Sequence, residues 1–334
     1  MQKLSILLCS LLLAASAWAG SKADPGKQAI VLEEFVFMKS PTRDCHASSI
    51  MELSDGTLLC TWFGGTRERA KDVKIWLARK PKGGTWQEPV AIVDGEGGTV
   101  FNPVLVQLKG GDIQIYYLCP TIDEGRVITS SDNGRTWTKT PALSDPAGTK
   151  YKLIQPTFLV HSQKRLQLLA RPNGSGPDTK IAQTWSDDGG LTWGPITDTT
   201  LPNNNSAIDA VTLKDGRHLL VYNHSTRNDT TGGRKGRGIL TVAMTRNGID
   251  WEAAAVLEYR TGAVQYSYPA VIQTSDGLVH ITYSWHRKRI KHVVIDPSKL
   301  VTYPIVDGVW PKDKMPWTKS TETESVAQGT EVLQ

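Results

Sequence analysis

The chain has 334 residues, a formal charge of +5, 39% hydrophobic residues, four cysteines and seven scattered histidines. This balance excludes a basic nucleic-acid-binding stripe, a disulfide-stapled scaffold and a zinc site of the CxxC or HExxH kind, so no metal and no cofactor is expected. The small positive excess favours an acidic ligand only as a steering field.

Met1-Gln2-Lys3, the apolar run Leu4 to Leu13 and the small-residue ending Ala17-Trp18-Ala19 have the layout of a secretory signal, with cleavage expected after Ala19. The run is too short to cross a bilayer and nothing later matches it, so no membrane span is expected and the mature protein is expected to be secreted or periplasmic. Removing Cys9 leaves Cys45, Cys60 and Cys119, an odd number that leaves at least one thiol unpaired. The segment Ala29 to Phe37 reads as a strand that precedes the first repeat and is expected to close the last one.

A strand, a turn and a second strand then recur with a period a little over fifty residues. The copies are His46 to Leu53, Asp55-Gly56 and Thr57 to Phe63; Asn102 to Leu108, Gly110-Gly111 and Asp112 to Leu118; and Gln155 to His161 followed by Arg165 to Arg171. Two more are Ser206 to Leu213 with Asp215-Gly216, and Tyr268 to Gln273 with Asp276-Gly277. Between them stand two S-x-D-x-G-x-T-W boxes, Ser130–Trp137 and Ser186–Trp193, and weaker copies at Lys82–Trp86 and Asn247–Trp251. In such a box the Ser and Asp side chains bond the amides of their own turn, glycine supplies positive φ and Trp plugs the hairpin base, so these Asp residues are structural. Strand-rich units of this length, without helical periodicity, predict an all-β propeller of four-stranded blades over residues 20–303, with an irregular polar tail over 304–334.

The boxes, the repeat order and the segments Cys45–Ile50, Trp62–Gly65, Asn205–Val211 and Tyr266–Ala270 resemble the sialidase (neuraminidase) superfamily of BNR/Asp-box proteins. Members of that superfamily typically have six blades, against the five repeats counted in this chain. The resemblance implies a glycosidase that grips a sugar carboxylate with arginines, attacks with a tyrosine deprotonated by a glutamate, and uses a loop aspartate as acid and base. Residue by residue, it implies Arg171 and Arg237 as carboxylate ligands, Asp72 as acid/base with Arg67 beside it, and Tyr266 as nucleophile. Counting back from Asp276-Gly277 selects Tyr268 instead. His46 stands where the first arginine is expected, with Arg43 three residues earlier, and Gln155 stands where the glutamate is expected.

Other readings of these residues stay open. Asp72 is either this acid/base or a solvated carboxylate paired with Lys71 or Arg67. Tyr266 and Tyr268, two apart on a strand, share a face, so one of them fills the core. Asn205, Asp209 and Asn223 either line the channel mouth or satisfy turns. Segment His286-Arg287-Lys288-Arg289 reads as a charged turn or sheet edge. Three functions fit: a secreted exo-glycosidase removing a terminal acidic sugar, a hydrolase or lyase on another carboxylated sugar such as a uronic acid with His46 or Tyr268 as base, and a glycan-binding propeller without turnover. The expected partner in each is a glycan, not a nucleic acid, and the oligomeric state stays open.

Overall fold

The computed structural model describes residues 26–94, 99–108, 112–118, 128–129, 138–139, 153–172, 179–227 and 233–315. The signal segment, Cys119, the box Ser130–Trp137, Gly110-Gly111 and the chain beyond 315 lie outside them.

The first sheet contains β2 (Asp44–Glu52), β3 (Leu58–Gly65), β4 (Lys74–Lys80) and β5 (Val90–Asp94), preceded in the chain by β1 (Ile30–Phe35). Two-stranded ladders follow: β6 (Phe101–Gln107) with β7 (Ile113–Leu118), and β8 (Ile128–Thr129) with β9 (Thr138–Lys139). The next sheet is β10 (Leu153–Val160), β11 (Leu166–Pro172), β12 (Lys180–Ser186) and β13 (Thr197–Pro202). It is succeeded by β14 (Asp209–Thr212), β15 (His218–Tyr222), β16 (Ile239–Thr245) and β17 (Glu252–Tyr259). The last repeat supplies β18 (Tyr266–Gln273), β19 (Val279–Trp285) and β20 (Arg289–Ile295), and β21 (Tyr303–Pro304) returns to pair with β17. All pairings are antiparallel up-and-down ladders.

First strands of neighbouring sheets touch one another: β2 with β6, β10 with β14, β14 with β18, and β18 with β2. Contact between β18 and β2 brings the end of the chain back to its start, as a propeller requires. The ring is latched by β1, which pairs antiparallel with β20 from Ile30 opposite Ile295 to Phe35 opposite Lys291. The segment expected from sequence to close the last repeat therefore does so, covering that sheet's outer edge.

Blades stacked face to face bury their middle strands on both sides, which is why Leu58 to Gly65 is buried throughout and lacks period-two alternation, while the outer strand Val90–Asp94 is mostly exposed. Between the last two sheets lie Leu219, Val221, Val242, Tyr266, Ile281 and Tyr283. The junction of the last sheet with the first holds Val36, Phe37, Cys45, Cys60, Trp62 and Ile290. Cys45 and Cys60 are free thiols there, and burial, reinforced by Asp44, pushes Cys45 up to about 12, so both behave as small hydrophobes.

The box Ser186–Trp193 folds as its residue types dictate. Ser186 Oγ accepts from the Gly190 amide at 2.8 Å, Asp188 accepts from the Thr192 amide at 2.9 Å and from its hydroxyl, and Trp193 Nε1 donates to the Gly190 carbonyl at 3.0 Å. Asn247 replaces the acidic residue in the weaker copy and accepts from the Ile249 and Asp250 amides, both at 2.9 Å. The expected irregular tail is corrected for its first part. Tyr303–Pro304 forms a fifth strand on its sheet, and Trp310 and Ile305 are buried against Trp251 and Tyr222. A two-residue strand and isolated apolar anchors carry no periodicity, so the sequence did not show them.

Candidate functional site

One backbone device recurs at the start of the first strands. Ala47, Asn102, Gln155 and Tyr268 all have φ between 47° and 57°, and in each strand the pairing register slips there, between His46 and Ser49, Phe101 and Val104, Ile154 and Thr157, and Ser267 and Ala270. Asn205, just before β14, has φ 62°. Positive φ costs a non-glycine residue energy, and a bulge re-aims one side chain out of the strand's alternation. Three of these five residues are followed by Pro, which has no amide to donate to the ladder at a bulge, and the other two by Ser.

The device explains why Tyr266 and Tyr268 do not share a face. Tyr266 is 1% exposed, packed in the apolar cluster between the last two sheets, and burial together with Glu258 pushes its hydroxyl up to about 12. Tyr268 is turned out of the strand, and its hydroxyl accepts from Arg171 Nη1 at 2.8 Å. Of the two candidate tyrosines, Tyr266 fills the core and Tyr268 lies beside Arg171, because period-two counting fails across a bulge.

Three sequence-selected residues meet Arg171, which is 9% exposed. Its Nη1 also donates to Gln155 Oε1 at 2.9 Å and its Nε to Asn205 Oδ1 at 2.7 Å. Arg237 Nη2 donates to the Asn205 carbonyl at 3.1 Å, and its Nε has no partner among the described residues. The guanidinium carbons of Arg171 and Arg237 lie 5.8 and 5.7 Å from the Tyr268 ring centre. Neither arginine is ion-paired to a carboxylate among the described residues, and burial pulls Arg237 below its ordinary value, Tyr268 pulling the other way. Two neighbouring cations without a paired carboxylate have the charge to hold an anion.

His46 closes the other side of Tyr268, with ring centres 4.0 Å apart. Its Nδ1 lies 2.8 Å from Ser284 Oγ, which itself accepts from the Ala47 amide at 3.0 Å. The imidazole and the serine hydroxyl thus share one hydrogen bond, whose direction is set by the histidine tautomer. Burial first, and then Arg287, Arg237 and Arg171, hold His46 well below its usual range, so it is a neutral donor where the superfamily pattern has a cation.

The remaining candidates separate from this cup. Asp72 is exposed and accepts from the Thr66 amide at 2.9 Å and from its hydroxyl, bonds that hold its carboxyl below the ordinary range. Asp209 accepts from Thr157 Oγ1 at 2.8 Å and from the Val271 amide at 2.8 Å, tying three inner strands, and burial pushes it up to about 6. Asn223 is fully buried, with both amide protons on the Ile239 and Tyr266 carbonyls at 2.6 and 2.8 Å, so it is a staple and not a ligand contact. Arg67 lines a separate open cavity next to the cup.

Sequence reading missed Arg287. It stands in the β19–β20 turn, where it donates to both oxygens of Asp44, at 2.8 and 3.1 Å, and to Glu68 at 3.0 Å. The sequence signal was the run of four basic-or-histidine residues His286-Arg287-Lys288-Arg289 at a three-residue hairpin turn, a place where glycine or asparagine is the common choice.

Among the described residues no helix is long and apolar enough to cross a membrane, and no group of metal-ligating side chains converges. A family model described as a BNR repeat-like domain matches residues 56–152 and 144–281. No curated protein matches the chain. Among solved structures, a protein of unknown function from Dyadobacter fermentans superposes with a TM-score of 0.59 at 14% identity, covering 79% of this chain and 98% of its own. A variant of the NanB sialidase from Streptococcus pneumoniae gives 0.55 at 11% identity over 80% of this chain and 71% of its own. The Hadza microbial sialidase Hz136 gives 0.54 at 15%, over 78% and 67%. At these identities the likeness is one of fold. Matched by that model over more than half its length, the chain belongs to the family of BNR repeat-like domain proteins, and it shares the propeller fold of sialidases.

Proposed function

We propose that this protein is a secreted glycosidase acting on glycans that end in a carboxylated sugar, with the carboxylate seated on Arg171 and Arg237 and Tyr268 at the anomeric carbon. The observation that carries this reading is the pair of guanidiniums flanking one tyrosine without a carboxylate to neutralise them. A carboxylate would supply the missing charge and take the unpartnered Arg237 Nε, while the guanidinium on Tyr268 Oη stabilises negative charge as that oxygen attacks. His46 contributes a neutral imidazole against the tyrosine ring. Asp72 is the acid/base of this reading, and its exposed loop must fold over the sugar to shed water before the carboxyl can hold a proton.

A second reading is favoured by what surrounds Tyr268. Gln155 spends its oxygen on Arg171 and cannot take the tyrosine's proton, whereas the neutral imidazole of His46 lies against the ring. That couple suits abstraction of a proton α to a uronate carboxylate, with arginines neutralising the carboxylate and an unsaturated sugar as product.

Both readings are tested on one panel of sialosides and uronate-terminated oligosaccharides. Tyr268→Phe is expected to reduce turnover at least a hundredfold and Tyr266→Phe to leave it within a few-fold, with released sugar reporting hydrolysis and near-ultraviolet absorbance reporting elimination. Equal activity of Tyr268→Phe and wild type rules out both.

A further inference from the structure

Beside the cup, and sharing none of its residues, is an open cavity of about 320 Å³ lined by Arg43, Asp44, Thr66, Arg67, His286, Arg287 and Lys288. Its floor is fixed. Arg287 is clamped by Asp44 and Glu68, and its carbonyl accepts from the Cys45 amide at 2.9 Å. Asp44 lies two residues before His46 on β2, so cavity and cup are about 7 Å apart along one strand.

The rim is not neutralised. Arg43, Arg67 and Lys288 are exposed and form no ion pair among the described residues, while the acidic lining residue, Asp44, is consumed by Arg287. The turn that carries this rim is strained. His286 and Arg287 have φ 55° and 59°, two bulky residues in a conformation glycine or asparagine would adopt cheaply, closed by the Lys288 amide on the Trp285 carbonyl at 3.0 Å. His286 is held edge-on to Trp285, ring centres 4.0 Å apart. Stability alone favours other residues in such a turn, so the strain there is a reason to look for a binding role.

We propose that this cavity is a second anion subsite, which takes a sulfate ester or carboxylate on the sugar next to the terminal one, so that the preferred ligand is a glycan with acidic groups on two adjacent sugars. The inference rests on the reading of the cup as an acidic-sugar site. Arg43, Arg67 and Lys288 approach from the β2 lead-in, the β3–β4 loop and the β19–β20 turn, and together they can surround an oxyanion.

Two measurements separate this from the cup's own function. Binding of acidic-terminated disaccharides that carry, on the second sugar, no charge, a sulfate or a carboxylate is measured for wild type and for the Arg43→Gln/Lys288→Gln variant. Wild type is expected to bind at least one charged disaccharide about tenfold more tightly than the uncharged one, and the variant to lose that gain while binding the uncharged one equally well. The preferred arm identifies the group. Independently, inorganic sulfate is titrated against ionic-strength-matched chloride in a melting assay. A sulfate-specific rise in Tm is expected in Arg171→Met, whose cup has lost one of its two guanidiniums, and is expected to shrink when Arg43→Gln/Lys288→Gln is added to that variant. If the disaccharides fail to bind but this rise is seen, the cup reading fails and the anion subsite stands. If Arg171→Met shows no rise, or shows the same rise after Arg43→Gln/Lys288→Gln is added, or the double variant keeps the disaccharide preference, the subsite is overturned.

Discussion

Replacing Glu34 with Gln tests the ring's closure quantitatively. Glu34 lies on β1, and its carboxylate accepts from Nδ1 of His292 on β20 at 2.8 Å, from Trp86 Nε1 at 2.9 Å and from Lys80 of β4, so one side chain ties the latch to both the last and the first sheets. Burial alone raises its carboxyl, but the hydrogen bonds from His292 and Lys80 and the charge of Lys80 outweigh burial and bring it from 4.5 down to about 2. At about 1.36 kcal/mol per pH unit, this drop is roughly 3 kcal/mol of folding stability, with a quarter of the side chain exposed. For an acid whose folded value is depressed, that stability is complete above 4.5 and is lost as pH falls towards 2. Glu34→Gln keeps an acceptor oxygen and removes the charge. Urea unfolding followed by tryptophan fluorescence is therefore expected to show the variant roughly 3 kcal/mol less stable at pH 7, with the gap closing between pH 5 and pH 2. A gap that stays constant across this range would falsify the assignment to charge, and no gap at pH 7 would remove Glu34 from the latch altogether.

Trp310→Ala is expected to lower stability by about 3–5 kcal/mol, because the indole is 2% exposed and packs edge-on to His224 at 5.1 Å; a change below 1 kcal/mol would mean that the segment after β21 is not part of the core. Asp209, pushed up to about 6, is expected to titrate near that value in a carboxyl-carbon NMR experiment. Since its folded value is raised above the unfolded one, its contribution to stability falls as pH rises from about 4 to about 6, and a titration below 4 refutes this.

How much of this was legible depended on whether the signal was local. The box Ser186–Trp193 could be read because every bond in it closes within eight residues, and the latch could be read because a strand-like segment stood before the first repeat. Arg171 and Arg237 came from the resemblance and were placed by strand phase. The tyrosine was open for a physical reason: alternation is counted in steps of two, and the bulge between Ser267 and Ala270 breaks the count just where it matters. Arg287 was out of reach because its partner Asp44 is 243 residues away, and a basic turn with no visible partner reads as surface. Asn223 misled in the opposite direction. A polar residue following a buried strand suggests a channel mouth, yet its amide closes two backbone carbonyls that no pattern reveals.

The left-handed residue at the start of several first strands separates what holds the protein together from what it recognises. Each of these strands offers one swivelled position whose side chain leaves the alternation, and at Gln155 and Tyr268 that side chain meets Arg171, so exchanging those two residues changes the lining of the cup while the pairing behind it is untouched. Ligand preference on such a ring can be retuned spoke by spoke, and this gives a natural starting set for altering it by design.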